Sequence, residues 1–170
     1  MPALHTLADM DDDAVPFLIE ALGQPKSRYW ATIALAEIGP EAAPAVAALT
    51  KLAAEGEVEE QLQAILALAA IGPPAATASP VLVKTLDAEE DTLRFAAAFA
   101  LGSVRAKDAD AALAKAAGDD DPFLAEVVSW ARARIHPDDK ALVAEAVKRL
   151  RTGLHGERTT ERSSAASTWC

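Results

Sequence analysis

Twelve residues, Arg28 to Gly39 (RYWATIALAEIG), constrain this chain more than any other stretch, because they recur. They return as QLQAILALAAIG at Gln61 to Gly72 and as RFAAAFALGSVR at Arg94 to Arg105. A weaker copy, AEVVSWARARIH, runs from Ala125 to His136. The steps between copies are 33, 33 and 31 residues. A period of this size marks a stacked array, in which each supersecondary unit buries its apolar face only against its neighbours.

Aligned copies show what each unit repeats. Ala31, Ala64, Ala97 and Val128 share one column, and Ala34, Ala67, Ala100 and Ala131 a second. Leu35, Leu68 and Leu101 fill a third, and Ile38, Ile71, Val104 and Ile135 a fourth. Offsets of 3, 4 and 7 place these columns on one helical face, so they are the expected core. Its small residues let helices approach closely. Gly39 and Gly72 follow the helix, where a C-terminus favours positive φ. Pro40, Pro73 and Pro137 then forbid its continuation.

A shorter amphipathic segment precedes each copy: VPFLIEAL at 15–22, VAALTKLA at 46–53, PVLVKTL at 80–86 and AALAKAA at 111–117. The unit is therefore helix A, acidic turn, helix B, Gly-Pro turn. The pattern Arg-x-x-Ala-x-x-Ala-Leu-x-x-Ile-Gly at Arg28–Gly39, with the runs around Pro16 and Pro80, resembles the HEAT repeat, in the short variety named for the phycobilin-lyase proteins. The resemblance covers residues 1–152 and implies an all-α fold. That fold is an α-α superhelix, or solenoid, of about four to four and a half antiparallel helix pairs, with helices B lining its concave side. It implies little about function, because such scaffolds serve many unrelated tasks.

The expected repeats are 14–39, 44–72, 78–105 and 109–136, closed by a capping helix at 139–152. Ser79-Pro80 and Asp121-Pro122 have the chemistry of an N-cap followed by a first-turn proline. Residues 1–10 fit helix B at an offset of 28, with Leu7 on Leu35 and Met10 on Ile38. They read as a capping helix, or as the remnant of a helix B from a longer array. Residues 153–170 are polar and read as a disordered tail.

Composition narrows the function. The chain carries a net charge of −10, which disfavours nucleic acid. The charge is uneven: residues 1–121 hold 20 acidic and 8 basic side chains, residues 122–170 hold 6 and 8. No charge-free apolar run of 18 residues is present, so no membrane span is expected. The first residues lack the basic and apolar regions of a secretory signal. The single cysteine, Cys170, excludes an internal disulfide, and a reducing cytoplasm is the expected compartment.

Two surfaces are candidate binding sites. The columns next to the core of helices B hold Tyr29, Leu62, Phe95 and Glu126, then Ile33, Leu66, Phe99 and Trp130. The seven apolar members form a stripe that reads either as a groove for a partner protein or peptide, or as surface buried by superhelical curvature. The A-to-B turns carry acids, with Glu57, Glu60, Glu90, Asp91 and Asp120 among them. They read either as a docking strip for a basic partner or as helix caps on a solvated edge.

Chemistry finds few candidates. His5, His136 and His155 share no face, and none is followed by the glutamate with which an iron-dependent HEAT enzyme holds its metal. Cys170 has no histidine beside it, and the glycines form no phosphate-cradling loop. No cofactor, metal or catalytic residue is expected. The resemblance implies that Arg28 and Arg94 are structural and pair with acids at neighbouring turns, in a ladder that Gln61 and Ala125 interrupt. The expected function is a non-enzymatic scaffold that binds another protein, itself a monomer or weak homodimer. The alternative is a bilin-lyase-like chromophore chaperone, with Tyr29, Trp30 and Phe99 as ring contacts and Arg132 and Arg134 as the nearest cations for propionates.

Overall fold

The structure, a computed structural model, describes residues 14–118 and 121–152. The expected helix at 1–10, the histidines His5 and His155, Asp120 and the tail at 153–170 lie outside the described residues. Within them the chain forms α1 (Val15–Leu22), α2 (Arg28–Ile38), α3 (Val46–Glu55), α4 (Val58–Ile71), α5 (Ser79–Thr85), α6 (Asp91–Ser103), α7 (Asp110–Ala116), α8 (Pro122–Ile135) and a last helix, α9, over 140–152. No strand occurs among the described residues.

Each A helix packs against the B helix that follows it: α1 on α2, α3 on α4, α5 on α6, α7 on α8. Helices B also pack in succession, α2 to α4 to α6 to α8. Contacts between successive A helices are sparser. The fold is an all-α solenoid.

The repeated columns are its core. Ala31, Ala64, Ala97 and Val128 are buried, as are Ala34, Ala67, Ala100 and Ala131. Leu35, Leu68 and Leu101 have no exposed surface, and burying each stabilises the fold by about 1.5–3 kcal/mol. Helices A contribute a matching column of Leu18, Leu49, Leu82, Leu113 and Ala146, all buried. Ile38 departs from its column and is only half-buried. Small side chains bring the B helices close. A Cβ added at Gly102 would stand 2.7 Å from Ala131 Cα and 2.8 Å from the Trp130 ring. Nothing larger than glycine fits on α6 at that point.

The B-to-A connections are more structured than plain turns. Gly39–Ala45, Pro73–Ala78 and Lys107–Ala109 are short 3₁₀ helices, and the fixed φ of proline suits the first two, which carry Pro40 and Pro44, then Pro73 and Pro74. Gly39 and Gly72 enter them at φ 71° and 73°, which glycine adopts freely. Arg105 takes the same place in the third repeat at φ 56°, at the cost an L side chain meets there.

Two expected caps separate. The Asp121 carboxylate accepts hydrogen bonds from the Phe123 and Leu124 amides at 2.8 and 3.2 Å, and caps α8. Ser79 is not a cap. The 3₁₀ turn runs directly into α5, so Ser79 is already helical, and its hydroxyl donates to Asp108 Oδ1 in the next repeat at 3.0 Å.

Residues Arg28–Glu55 contain a window with the mean hydropathy of a membrane span, 1.2, carrying at most two charges. In the fold that stretch is α2 and α3, broken at Gly39–Ala45. Neither helix reaches the roughly 20 residues a span requires.

Candidate functional site

The apolar stripe lies on the B-helix face opposite the buried columns, and its members divide. Tyr29, Leu66 and Phe99 are 46%, 39% and 42% exposed. Ile33, Leu62, Phe95 and Trp130 are half-buried, the last three packed against the core. Packing against neighbouring side chains therefore covers part of the stripe and leaves one of its members exposed on each of α2, α4 and α6.

The aromatic members contact one another across helices. Phe99 on α6 stacks on Trp130 of α8, with ring centroids 5.0 Å apart and planes at 13°. Phe95 meets Phe123 edge to face at 4.8 Å. Such pairs contribute about 0.5–1.5 kcal/mol beyond area burial and fix ring orientation. The Arg134 guanidinium lies 5.7 Å from the Trp130 ring centroid, within cation–π range. Two exposed rings extend the surface beyond the expected stripe. Phe123 is 56% exposed beside Phe95, and Trp30, 44% exposed, meets Tyr29 edge to face at 5.2 Å. Both share a sequence column with unremarkable residues: Glu59 and Thr92 for Phe123, Gln63, Ala96 and Val127 for Trp30. The aromatic count alone could have flagged them.

The acidic edge is engaged within the fold. Arg28 Nη1 donates to Glu60 Oε1 at 2.7 Å, and Arg28 Nε to the Leu22 carbonyl at 2.8 Å. One guanidinium thereby ties the end of α1 to the starts of α2 and α4. Glu60 also accepts from the Glu57 amide at 3.2 Å. The bond from Arg28, then that from the Glu57 amide, holds the Glu60 carboxyl below its ordinary range. Glu57 and Glu90 occupy the N-cap positions of α4 and α6, with extended backbone. Asp91 pairs with Arg94 at 2.6 Å, and Asp121 lies 4.0 Å from the same Arg94 amine. The two arginines thus join neighbouring turns even though Gln61 and Ala125 interrupt their column.

A further ion pair sits on the other edge. Arg132 Nε donates to Asp110 Oδ1 at 2.9 Å, and His136 Nε2 lies 3.3 Å from that oxygen. The Arg132 hydrogen bond is the main cause of a lowered Asp110 carboxyl pKa. Arg132 is thus committed inside the fold, and Arg134 lies over Trp130. Both stand on α8, while Tyr29 and Trp30 stand on α2, with α4 and α6 between them.

Clefts between helices A are open rather than enclosed. One of about 640 Å³ lies between α1 and α3, with Ile19 and Leu22 on one wall and Ala48, Lys51 and Leu52 on the other. No group of three or more His, Cys, Asp or Glu that could hold a metal occurs among the described residues.

Comparison with known proteins agrees with this architecture. No curated protein matches the chain. The family model for HEAT repeats matches residues 46–132, from the start of α3 into α8. That match spans just over half of the 170 residues and coincides with the column-by-column burial described above, so the chain belongs to the HEAT-repeat family.

Proposed function

We propose that this chain is a non-enzymatic interaction module that binds another protein through the outward, concave face of helices B. One observation supports the reading above the rest: the 33-residue period places Tyr29, Leu66 and Phe99 in adjoining helices, and packing leaves each 39–46% exposed. With Trp30 and Phe123 they make an apolar surface of roughly several hundred Å², as large as the patches that mark docking sites. Rings held by neighbouring rings cost little entropy to dock, which suits them as anchors. HEAT repeats commonly mediate contacts between proteins, and the family's fold is typically non-catalytic. The acidic turns border this face at the N-terminal ends of helices B. Exposed acids of these turns, Glu59 and Glu89 among them, would steer a basic partner. The cytoplasm is the proposed compartment, from the lone Cys170.

Site-specific photo-crosslinking in the cells that make the protein tests this. A crosslinking residue at position 66 is expected to give discrete adducts. The same residue at position 47, exposed on α3, is expected to give none. Equal labelling from both positions, or none from either, would count against the proposal.

A bilin chaperone requires rings and cations around one pocket. The separation of Tyr29 and Trp30 from Arg132 and Arg134 favours the protein partner. An absorbance titration with a bilin is expected to show no shift.

A further inference from the structure

The outward face of helices B carries a charge pattern as well as an apolar one. One turn beyond Ile33, Leu66, Phe99 and Trp130 stand Glu37, Ala70, Ser103 and Arg134. An acid thus lies on α2, a base on α8, and small residues on the two helices between them. Glu37 and Arg134 are exposed, and neither enters an ion pair among the described residues. Arg134 lies over the Trp130 ring, which places its guanidinium beside the apolar stripe.

This pattern is complementary to itself. A half turn about an axis parallel to helices B, in the plane of the face and midway between α4 and α6, sets α2 opposite α8 of a second copy. It sets α4 opposite the α6 of that copy, and each column meets its own column. Glu37 then meets Arg134, and Arg134 meets Glu37. In the next row Leu66 meets Phe99 and Ile33 meets Trp130, so apolar side chains face apolar side chains. In the row before it, the Tyr29 hydroxyl comes opposite the Glu126 carboxylate, an acceptor for its hydrogen bond. These rows bring no like charges together. A half turn about an axis across the helices would instead set α2 on α2 and α8 on α8, and would part Glu37 from Arg134.

The face is concave, so two copies approach most closely at α2 and α8, where the charge pairs lie. The space left at the middle is where Leu66 and Phe99 project from both copies, 39% and 42% exposed. The apolar patch is roughly several hundred Å² on each copy, short of the roughly 800 Å² per partner of a standard interface. A dimer on this face is therefore weak, and the two charge pairs set its register.

We infer that the protein docked on this face is a second copy of this chain, in a symmetric dimer that pairs Glu37 of each copy with Arg134 of the other. The inference rests on the docking reading above and names its occupant. Two-fold symmetry closes the assembly at two chains.

Sedimentation velocity of the full chain under reducing conditions, over a wide concentration range, tests the inference. The mass is expected to rise with concentration and level off at twice that of one chain. Glu37→Arg alone and Arg134→Glu alone are expected to keep the helical circular dichroism of the parent and to stay monomeric where the parent is dimeric. Their mixture, and the double variant by itself, are expected to dimerise again, because each restores both pairs. A crosslinking residue at position 66 of the purified chain is expected to join the second copy near Phe99. Single variants that dimerise as the parent does, a mixture that stays monomeric, or a mass that climbs past two chains would each overturn it. A parent that is monomeric when purified, yet gives adducts with other proteins from position 66 in cells, would overturn this inference and leave the docking reading standing. A monomer with no adducts would overturn both.

Discussion

Leu66 and Leu68 stand two residues apart on α4 and serve different purposes. Leu68 has no exposed surface and repeats as Leu35 and Leu101. Leu66 is 39% exposed and aligns with Ile33, Phe99 and Trp130. One helix therefore has a packing face of alanine and leucine and an outward face of larger, partly wet side chains. Cohesion is carried by one column and the recognition proposed above by another, so substitutions can separate them.

The largest effect is expected on the packing face. Leu68→Ala should cost about 2–5 kcal/mol in urea unfolding, because the close-packed repeats around it cannot collapse into the cavity. Gly102→Ala should cost about 1–3 kcal/mol by overpacking, since its methyl group would meet the α8 backbone at Ala131. A G102A protein as stable as the parent would show that α6 and α8 are less closely opposed than described. On the outward face, Phe99→Ala should cost only about 1 kcal/mol, chiefly the stacking on Trp130. Leu66→Ser should cost less again, about 0.5 kcal/mol, as surface changes do. A loss at Leu66 equal to that at Leu68 would erase the distinction between the faces.

The smallest predicted effect is electrostatic. Arg132 lowers the folded-state pKa of Asp110, so the pair's stabilisation is present above the ordinary carboxylate range. It is lost as pH falls through that range toward the lowered value. Asp110→Asn should therefore flatten the acid limb of stability against pH, slightly, because the side chain is one-third exposed. An unchanged acid limb would mean that the pair contributes nothing.

Much of the fold was legible in the sequence because the packing face repeats. A column such as Ala34, Ala67, Ala100 and Ala131 declares its burial by period alone. Asp121 was legible as a cap because its proline stands at the first turn of a new helix. Ser79-Pro80 looks the same and was misread: local spacing does not show that Pro73–Ala78 is already wound, which leaves Ser79 inside the helix. The site was half legible. Period finds the stripe, and exposure then depends on what the adjoining helix places beside each ring, as Phe123 does for Phe95. Trp30 escapes the period for a different reason. Its column holds Gln63, Ala96 and Val127 in the other repeats, which gives no sign of an exposed ring.

The claim that the outward face is for docking is tested most directly by photo-crosslinking from position 66 in a Phe99→Glu background. The account predicts that the variant folds with stability within about 1 kcal/mol of the parent and loses the adducts formed from position 66. A variant that unfolds as Leu68→Ala would, or one that folds and keeps every adduct, would contradict it.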